Sequence, residues 1–227
     1  MNTESSKLTV GYWPIRGLIQ HILTLLEYTG TEYNFVKVTD RDSWSESKES
    51  LIKSGMDFPN LPYLQDGDIQ MTETLAITLH IAKKYGDESL LFTPENMGRF
   101  FELYGVVNDI RGAYTSAGYS STDKENLKAK MSQNSDCLKL KYQVLNNLLG
   151  KQNWLMGDNL TVVDFLWAEA VERINTMSEQ LDMDLLGDYP HIKAYLERFI
   201  NIPKIKAYRE SEGYMTTPWN NTQAFWK

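Results

Sequence analysis

Cysteine is nearly missing from this 227-residue chain. Cys137 stands alone, so no disulfide framework can staple the fold, and a reducing compartment is expected. Set inside a helical pattern, this thiol reads as a packed side chain before it reads as a nucleophile. Histidine is scarce too: His21, His80 and His191 are scattered and have no Cys partners at ligand spacing, which argues against a metal site. There is no Lys/Arg block, and 23 basic against 30 acidic residues leave a formal charge of -7. A phosphate-backbone binder needs a basic face, so no nucleic-acid partner is expected. No run approaches the roughly 18 apolar residues of a membrane span. The opening MNTESSKLTV lacks the apolar core of a secretory signal. Those two absences predict a cytoplasmic protein with no membrane partner. Phosphate loops, dinucleotide fingerprints and serine nucleophile elbows are also absent.

What is present divides into two halves. With 42% hydrophobic residues the chain can build a substantial core. Leu8 to Trp13 reads as a strand, Ile15 to Tyr28 as an amphipathic helix ending near Gly30, and Tyr33 to Val38 as a second strand. The polar stretch Thr39 to Ser54 reads as a loop. Tyr63-Leu64-Gln65 and Ile69-Gln70-Met71 then form a hairpin around Asp66-Gly67, and Thr72 is placed to cap a helix from about Glu73 to Tyr85. That order predicts an α/β domain with a mixed sheet over residues 7–88. Beyond a linker, only helical patterns follow, over residues 95–227: Asn96 to about Tyr119, Asp123 to Leu149, a helix capped by Thr161-x-x-Asp164 running to about Met177, and two opened by Pro190 and Pro203. The aromatic tail from Gly213 is expected to pack on the rest of the chain.

Three features carry chemistry. Tyr12 ends the first strand, where ligands sit in open α/β sheets, although an aromatic there is more often core packing. Asn60-Leu61-Pro62 offers a candidate cis-proline that turns the preceding backbone outward for pairing with a peptide-like ligand. Glu73-Thr74 opens a helix, a site for an anion with a carboxylate suited to an ammonium. Singly these are a turn, a proline and a cap. Together they describe a pocket for a small zwitterionic peptide.

Gly11-Tyr12-Trp13, Ile15-Arg16-Gly17-Leu18, Asp57-Phe58-Pro59-Asn60-Leu61-Pro62-Tyr63-Leu64, Asp66-Gly67, Ala76-Ile77, Ile81-Ala82 and Asp164-Phe165-Leu166 occur in family order over nearly the whole chain. By them the sequence resembles the cytosolic glutathione transferases, mu class first and sigma class next. The resemblance implies a thioredoxin-like domain followed by an all-helical bundle. It also implies a homodimer, glutathione as co-substrate with no prosthetic group, and conjugation of the thiol to hydrophobic electrophiles. A glutathione-dependent isomerase of the prostaglandin-synthase type, or a carrier or structural protein on the same fold, are the alternatives. Carried onto matching positions, the catalytic tyrosine is Tyr12. The glutathione-binding set is Tyr12, Trp13, Leu18, Trp44, Lys48, Asn60, Leu61, Pro62, Glu73, Thr74 and, from the other subunit, Asp109. The electrophile pocket draws on Tyr119, Arg111, Ser116 and Asn220, with Thr115 and Trp219 nearby, and Phe58 is the dimer anchor. The chain departs from the mu pattern at Pro14, where Asp is usual, and at Glu73, where Gln is usual. The loop before Trp44 is short and three extra residues precede Asp57, which leaves Lys53 as a competitor for the place of Lys48.

Overall fold

The computed structural model describes residues 8–227; the expected domain start at residue 7 lies outside them. β1 (Leu8–Tyr12) is followed by α1 (Gln20–Thr29), β2 (Tyr33–Lys37), α2 (Arg41–Lys53), β3 (Tyr63–Asp66), β4 (Ile69–Thr72) and α3 (Thr74–Tyr85). The sheet order is β2-β1-β3-β4, with β1 parallel to β2 and antiparallel to β3. This is the thioredoxin-like arrangement expected from the sequence. β1 is an inner strand, and Leu8, Val10 and Tyr12 are all buried.

Local chemistry moved several boundaries. Gly17 takes φ +37, so the chain after Trp13 turns before it winds, and α1 starts at Gln20 instead of Ile15. The stretch read as a loop is instead a helix, α2. Asp40 caps it by accepting from the Ser43 amide while Ser43 accepts from the Asp40 amide, a reciprocal box built from a non-consensus pair. Its apolar residues Trp44 and Leu51 pack with Met56, Leu61 and Tyr63 in a small second core. Thr72 does not cap α3: it belongs to β4, and its hydroxyl donates to the Phe58 carbonyl at 2.9 Å. The hairpin turn is Gly67-Asp68, one residue later than read, with Gly67 at φ +63.

A short 3₁₀ turn (Glu88–Leu90) leads to α4 (Met97–Ser120), α5 (Lys124–Leu149), α6 (Val162–Gln180), α7 (Pro190–Ile200), α8 (Pro203–Arg209) and the unforeseen α9 (Glu212–Thr216). Cys137, on α5, is exposed and not packed. α6 is the axis of the helical unit. Val162 to Val171 are all buried, and the Trp167 indole donates to the Leu103 carbonyl of α4 at 3.0 Å. α6 also packs on α1 and α3, so one continuous core spans both units. No described helix is long and apolar enough to cross a membrane.

Candidate active site

Sheet register gathers the first group of residues. Gly11 opposes Tyr63, so Tyr12 at the end of β1 lies beside Pro62, the residue just before β3. Tyr63 opposes Thr72, which sets Glu73 beside Pro62 in turn. Tyr12, Trp13, Leu61, Pro62, Glu73 and Thr74 therefore meet at one end of the sheet although 62 positions separate the first from the last. The Leu61–Pro62 bond is cis. Glu73 holds φ +70 in the left-handed region, a conformation that costs a non-glycine residue about 1–3 kcal/mol and that concentrates at ligand sites. The Tyr12 carbonyl accepts from the Val38 amide at 2.9 Å, which brings the start of α2 to the same end. Trp44, half-buried against Leu61, and exposed Lys48 share one face of α2 a turn apart. Lys53 reaches Glu49 at 4.0 Å, whereas Lys48 has no ion pair among the described residues.

The Tyr12 hydroxyl accepts from the Leu18 amide at 3.2 Å and donates to no acceptor among the described residues. Its proton is free for an incoming acceptor. Burial raises the phenol above its ordinary pKa; the Leu18 amide and the Arg111 charge pull the other way without reversing it. At neutral pH Tyr12 is therefore a hydrogen-bond donor, not a phenolate base. Gly17 is required beside it, because a Cβ there would stand 2.8 Å from the Tyr12 ring and hydroxyl.

Tyr12, Gly17 and Leu18 form one wall of a cavity of about 370 Å³; Asn108, Arg111, Thr115 and Tyr119 of α4 form another, with Arg173 and Asn220. The α4 residues recur every three or four positions, a single helical face. Ser116 is off that face: it is exposed and not among the lining residues, and Thr115 takes the place expected for it. Asp109 is likewise turned out of this cavity, exposed and paired with Lys141 of α5 at 2.6 Å. The tail closes the remaining side. The Arg16 amide donates to the Pro218 carbonyl at 2.7 Å and the Gly17 amide to that of Trp219 at 3.1 Å. The Arg16 guanidinium lies 4.2 Å from the Tyr214 ring centre and 4.4 Å from that of Trp219. Asn220 is held by its amide donating to the Trp226 carbonyl at 3.0 Å, and Tyr119 accepts from the Asn221 amide at 3.4 Å.

Asn108 and Arg173 were not foreseen. The available signal was Glu169 and Arg173 four residues apart on the apolar side of a helix, where a charge has to find a partner. Among the described residues no group of three His, Cys, Asp or Glu side chains could hold a metal ion.

Residues 8–83 match the family described as glutathione S-transferase, N-terminal domain, and residues 108–212 the corresponding C-terminal domain. The chain is 35% identical to the class-mu 26 kDa isozyme 51 glutathione S-transferase of Fasciola hepatica, over 93% of this chain and 92% of that one. It is also 35% identical to glutathione S-transferase Mu 3 of Homo sapiens, over 100% and 97% respectively. The solved structure of the glutathione S-transferase Blo t 8 superposes with a TM-score of 0.81 at 27% identity, covering 96% of this chain and 98% of that one. The two domain matches and the relatives spanning nearly the full length agree with the fold described above, and the chain belongs to the glutathione S-transferase family.

Proposed function

We propose that the protein binds glutathione at the sheet end built by Tyr12, Leu61-Pro62 and Glu73-Thr74, activates its thiol through Tyr12, and transfers it to hydrophobic electrophiles in the adjoining cavity. The observation that carries this reading is the uncommitted Tyr12 proton at the junction of the two. A free thiol with a pKa of about 8.5 is under a tenth thiolate at pH 7.4. A hydrogen bond to a charged acceptor contributes roughly 1.5–3 kcal/mol, and 1.36 kcal/mol is one pKa unit. Donation from Tyr12 thus lowers the thiol pKa by about one to two units and makes thiolate the main form. The bound thiolate is then the nucleophile, and the protein need supply none of its own. Glu73 serves the γ-glutamyl ammonium; Trp13, Trp44 and Lys48 serve the glycyl carboxylate; the outward backbone of Leu61, beside Asn60, pairs with the cysteinyl unit. Tyr119 lines the electrophile side, where its hydroxyl can donate to developing charge.

The test is a titration of thiolate absorbance in the glutathione complex, alongside turnover of 1-chloro-2,4-dinitrobenzene. Wild type is expected to titrate about one to two units below free glutathione. Tyr12→Phe is expected to bind glutathione but titrate near the free value; a mutant curve matching wild type would remove Tyr12 from the role.

A homodimer is part of the same reading. Phe58 is 81% exposed between Asp57 and Pro59, a large aromatic presented to solvent in a polar loop and free to anchor a partner. An apolar cavity of about 200 Å³ between α4 and α5 is lined by Leu103, Val106, Leu140 and Val144, and Leu140 is itself 71% exposed. The two complement each other across a two-fold interface. Asp109 is exposed and pairs with Lys141 at the border of that cavity, which puts it beside the proposed interface, within the partner's reach. Cytoplasmic placement is supported by the exposed, unpaired Cys137.

A further inference from the structure

Two guanidinium groups, those of Arg111 and Arg173, line the electrophile cavity, and both pair with one carboxylate, that of Glu169. Arg111 Nε lies 3.0 Å from one Glu169 oxygen, and Arg173 Nη2 lies 3.6 Å from the other. Arg111 also donates to the Gly17 carbonyl at 3.2 Å, and Arg173 to the Thr115 hydroxyl at 2.5 Å. All three charged side chains are buried, Arg173 at 2% exposure with its guanidinium 5.2 Å from the Trp219 ring centre. Among the described residues Arg173 Nε and both Glu169 oxygens have no hydrogen-bond partner of good geometry, so Glu169 is held by charge alone. The nearest further carboxylate of α6, Glu172, is committed to Arg16, Arg209 and Tyr214. One positive charge is left over in a buried place, where an unneutralised ion is costly. Both arginines line the cavity, so a ligand there can supply the missing anion.

We propose that this cavity selects electrophiles bearing an anionic group, chiefly a carboxylate on an aromatic or alkyl body, and that Arg173 is the residue that recognises it. The inference rests on the transferase reading and names the substrate class of that same site. The apolar body lies along Leu18 and Tyr119 with its reactive carbon toward Tyr12, and the carboxylate accepts from Arg173 and the Thr115 hydroxyl. Arg173 is a specificity residue here. The rival role for the surplus charge is general support of the glutathione thiolate, which would help every electrophile equally.

Paired substrates separate the two: the thiolate displaces chloride ion from both 4-chloro-3-nitrobenzoate and 4-chloro-3-nitrobenzamide, which differ in charge and in intrinsic reactivity. Each kcat/KM is therefore first divided by the substrate's uncatalysed rate with glutathione. Wild type is expected to prefer the acid by at least tenfold in kcat/KM, and Arg173→Met to lower that acid-to-amide ratio by tenfold or more. Glu169→Gln, which removes the internal counter-charge, is expected to raise it. A wild-type ratio near one, a ratio unchanged in Arg173→Met, or an equal loss on both substrates overturns the proposal. If Arg173→Met does not fold, the wild-type ratio and Glu169→Gln decide. Calorimetric binding of 4-biphenylcarboxylate against its amide asks the same question without turnover. A protein that binds the acid at least tenfold more tightly but fails to convert even 1-chloro-2,4-dinitrobenzene would sink the transferase reading and leave the Arg173 assignment standing.

Discussion

Tyr12 is positioned by a residue with no side chain. Gly17 lets the loop after β1 fold back until the Leu18 amide meets the Tyr12 hydroxyl, and a methyl at Gly17 would press on the ring at 2.8 Å with φ still at +37. Gly17→Ala is therefore expected to cost about 1–3 kcal/mol, read by urea unfolding, and to raise the bound thiol pKa by displacing Tyr12. Normal stability with normal thiol titration would show that the loop relaxes freely. Tyr12 was legible before the fold was known, because strand end and family motif coincide. Arg173 was not: it is one charged residue in a helix, and only the packing of α6 under α4 turns it toward the cavity. Ser116 failed for the opposite reason. Counting along a helix finds the turn but misses the face by about 100° per residue.

Elements were most legible where caps and periodicity agreed. Asp164 accepts from the Thr161 amide at 2.8 Å and from the Leu155 amide at 2.9 Å, so the box that starts α6 also pins the preceding loop. α2 was missed because its apolar residues are few and its cap pairs Asp with Ser. Its burial depends on the Leu61–Tyr63 segment arriving from outside the helix. At the far end of the sheet, Asp66 joins β3 to α3. Burial opposes its charge, but hydrogen bonds from Lys84, His80 and Tyr85, each at 2.7 Å, outweigh that and hold the carboxyl below its ordinary value. Its folded pKa being depressed, the stability it contributes is full above the ordinary carboxylate pKa of about 3.9 and is lost as pH falls through the folded value. Asp66→Asn is expected to cost roughly 1–3 kcal/mol at pH 7 and to flatten the loss of stability below about pH 4. Denaturant midpoints across that range test it; a variant whose acid limb parallels wild type would exclude Asp66 as the linked group.

For the whole molecule, the reading makes the active site a property of two subunits. Phe58→Ser removes an exposed aromatic of the kind that carries interface energy, and is expected to weaken the dimer by roughly 2 kcal/mol or more in sedimentation at low concentration. An unshifted dimer constant would mean that Phe58 is no anchor. Asp109→Asn is expected to raise KM for glutathione by about 1–3 kcal/mol equivalent, with little change for the electrophile. Mixing Asp109→Asn subunits with Tyr12→Phe subunits sharpens this. In a shared site the heterodimer carries both lesions in one site and neither in the other, so it is expected to keep about half the activity with normal glutathione affinity. A raised KM in its one active site would assign Asp109 to its own subunit.

The sequence by itself determined the four strands and most of the helices, the candidate residues Tyr12, Pro62 and Glu73, and the division into an α/β half and a helical half, since these rest on local spacing, turn chemistry and motif. Only the tertiary structure decided which face of α4 meets the cavity, which backbone groups of Arg16 and Gly17 hold the tail, and that Arg111, Glu169 and Arg173 share one buried cluster. Those outcomes depend on how far each helix is rotated and on which distant segment arrives beside it. Packing fixes both through contacts between residues that are remote in the chain, and no local pattern records them.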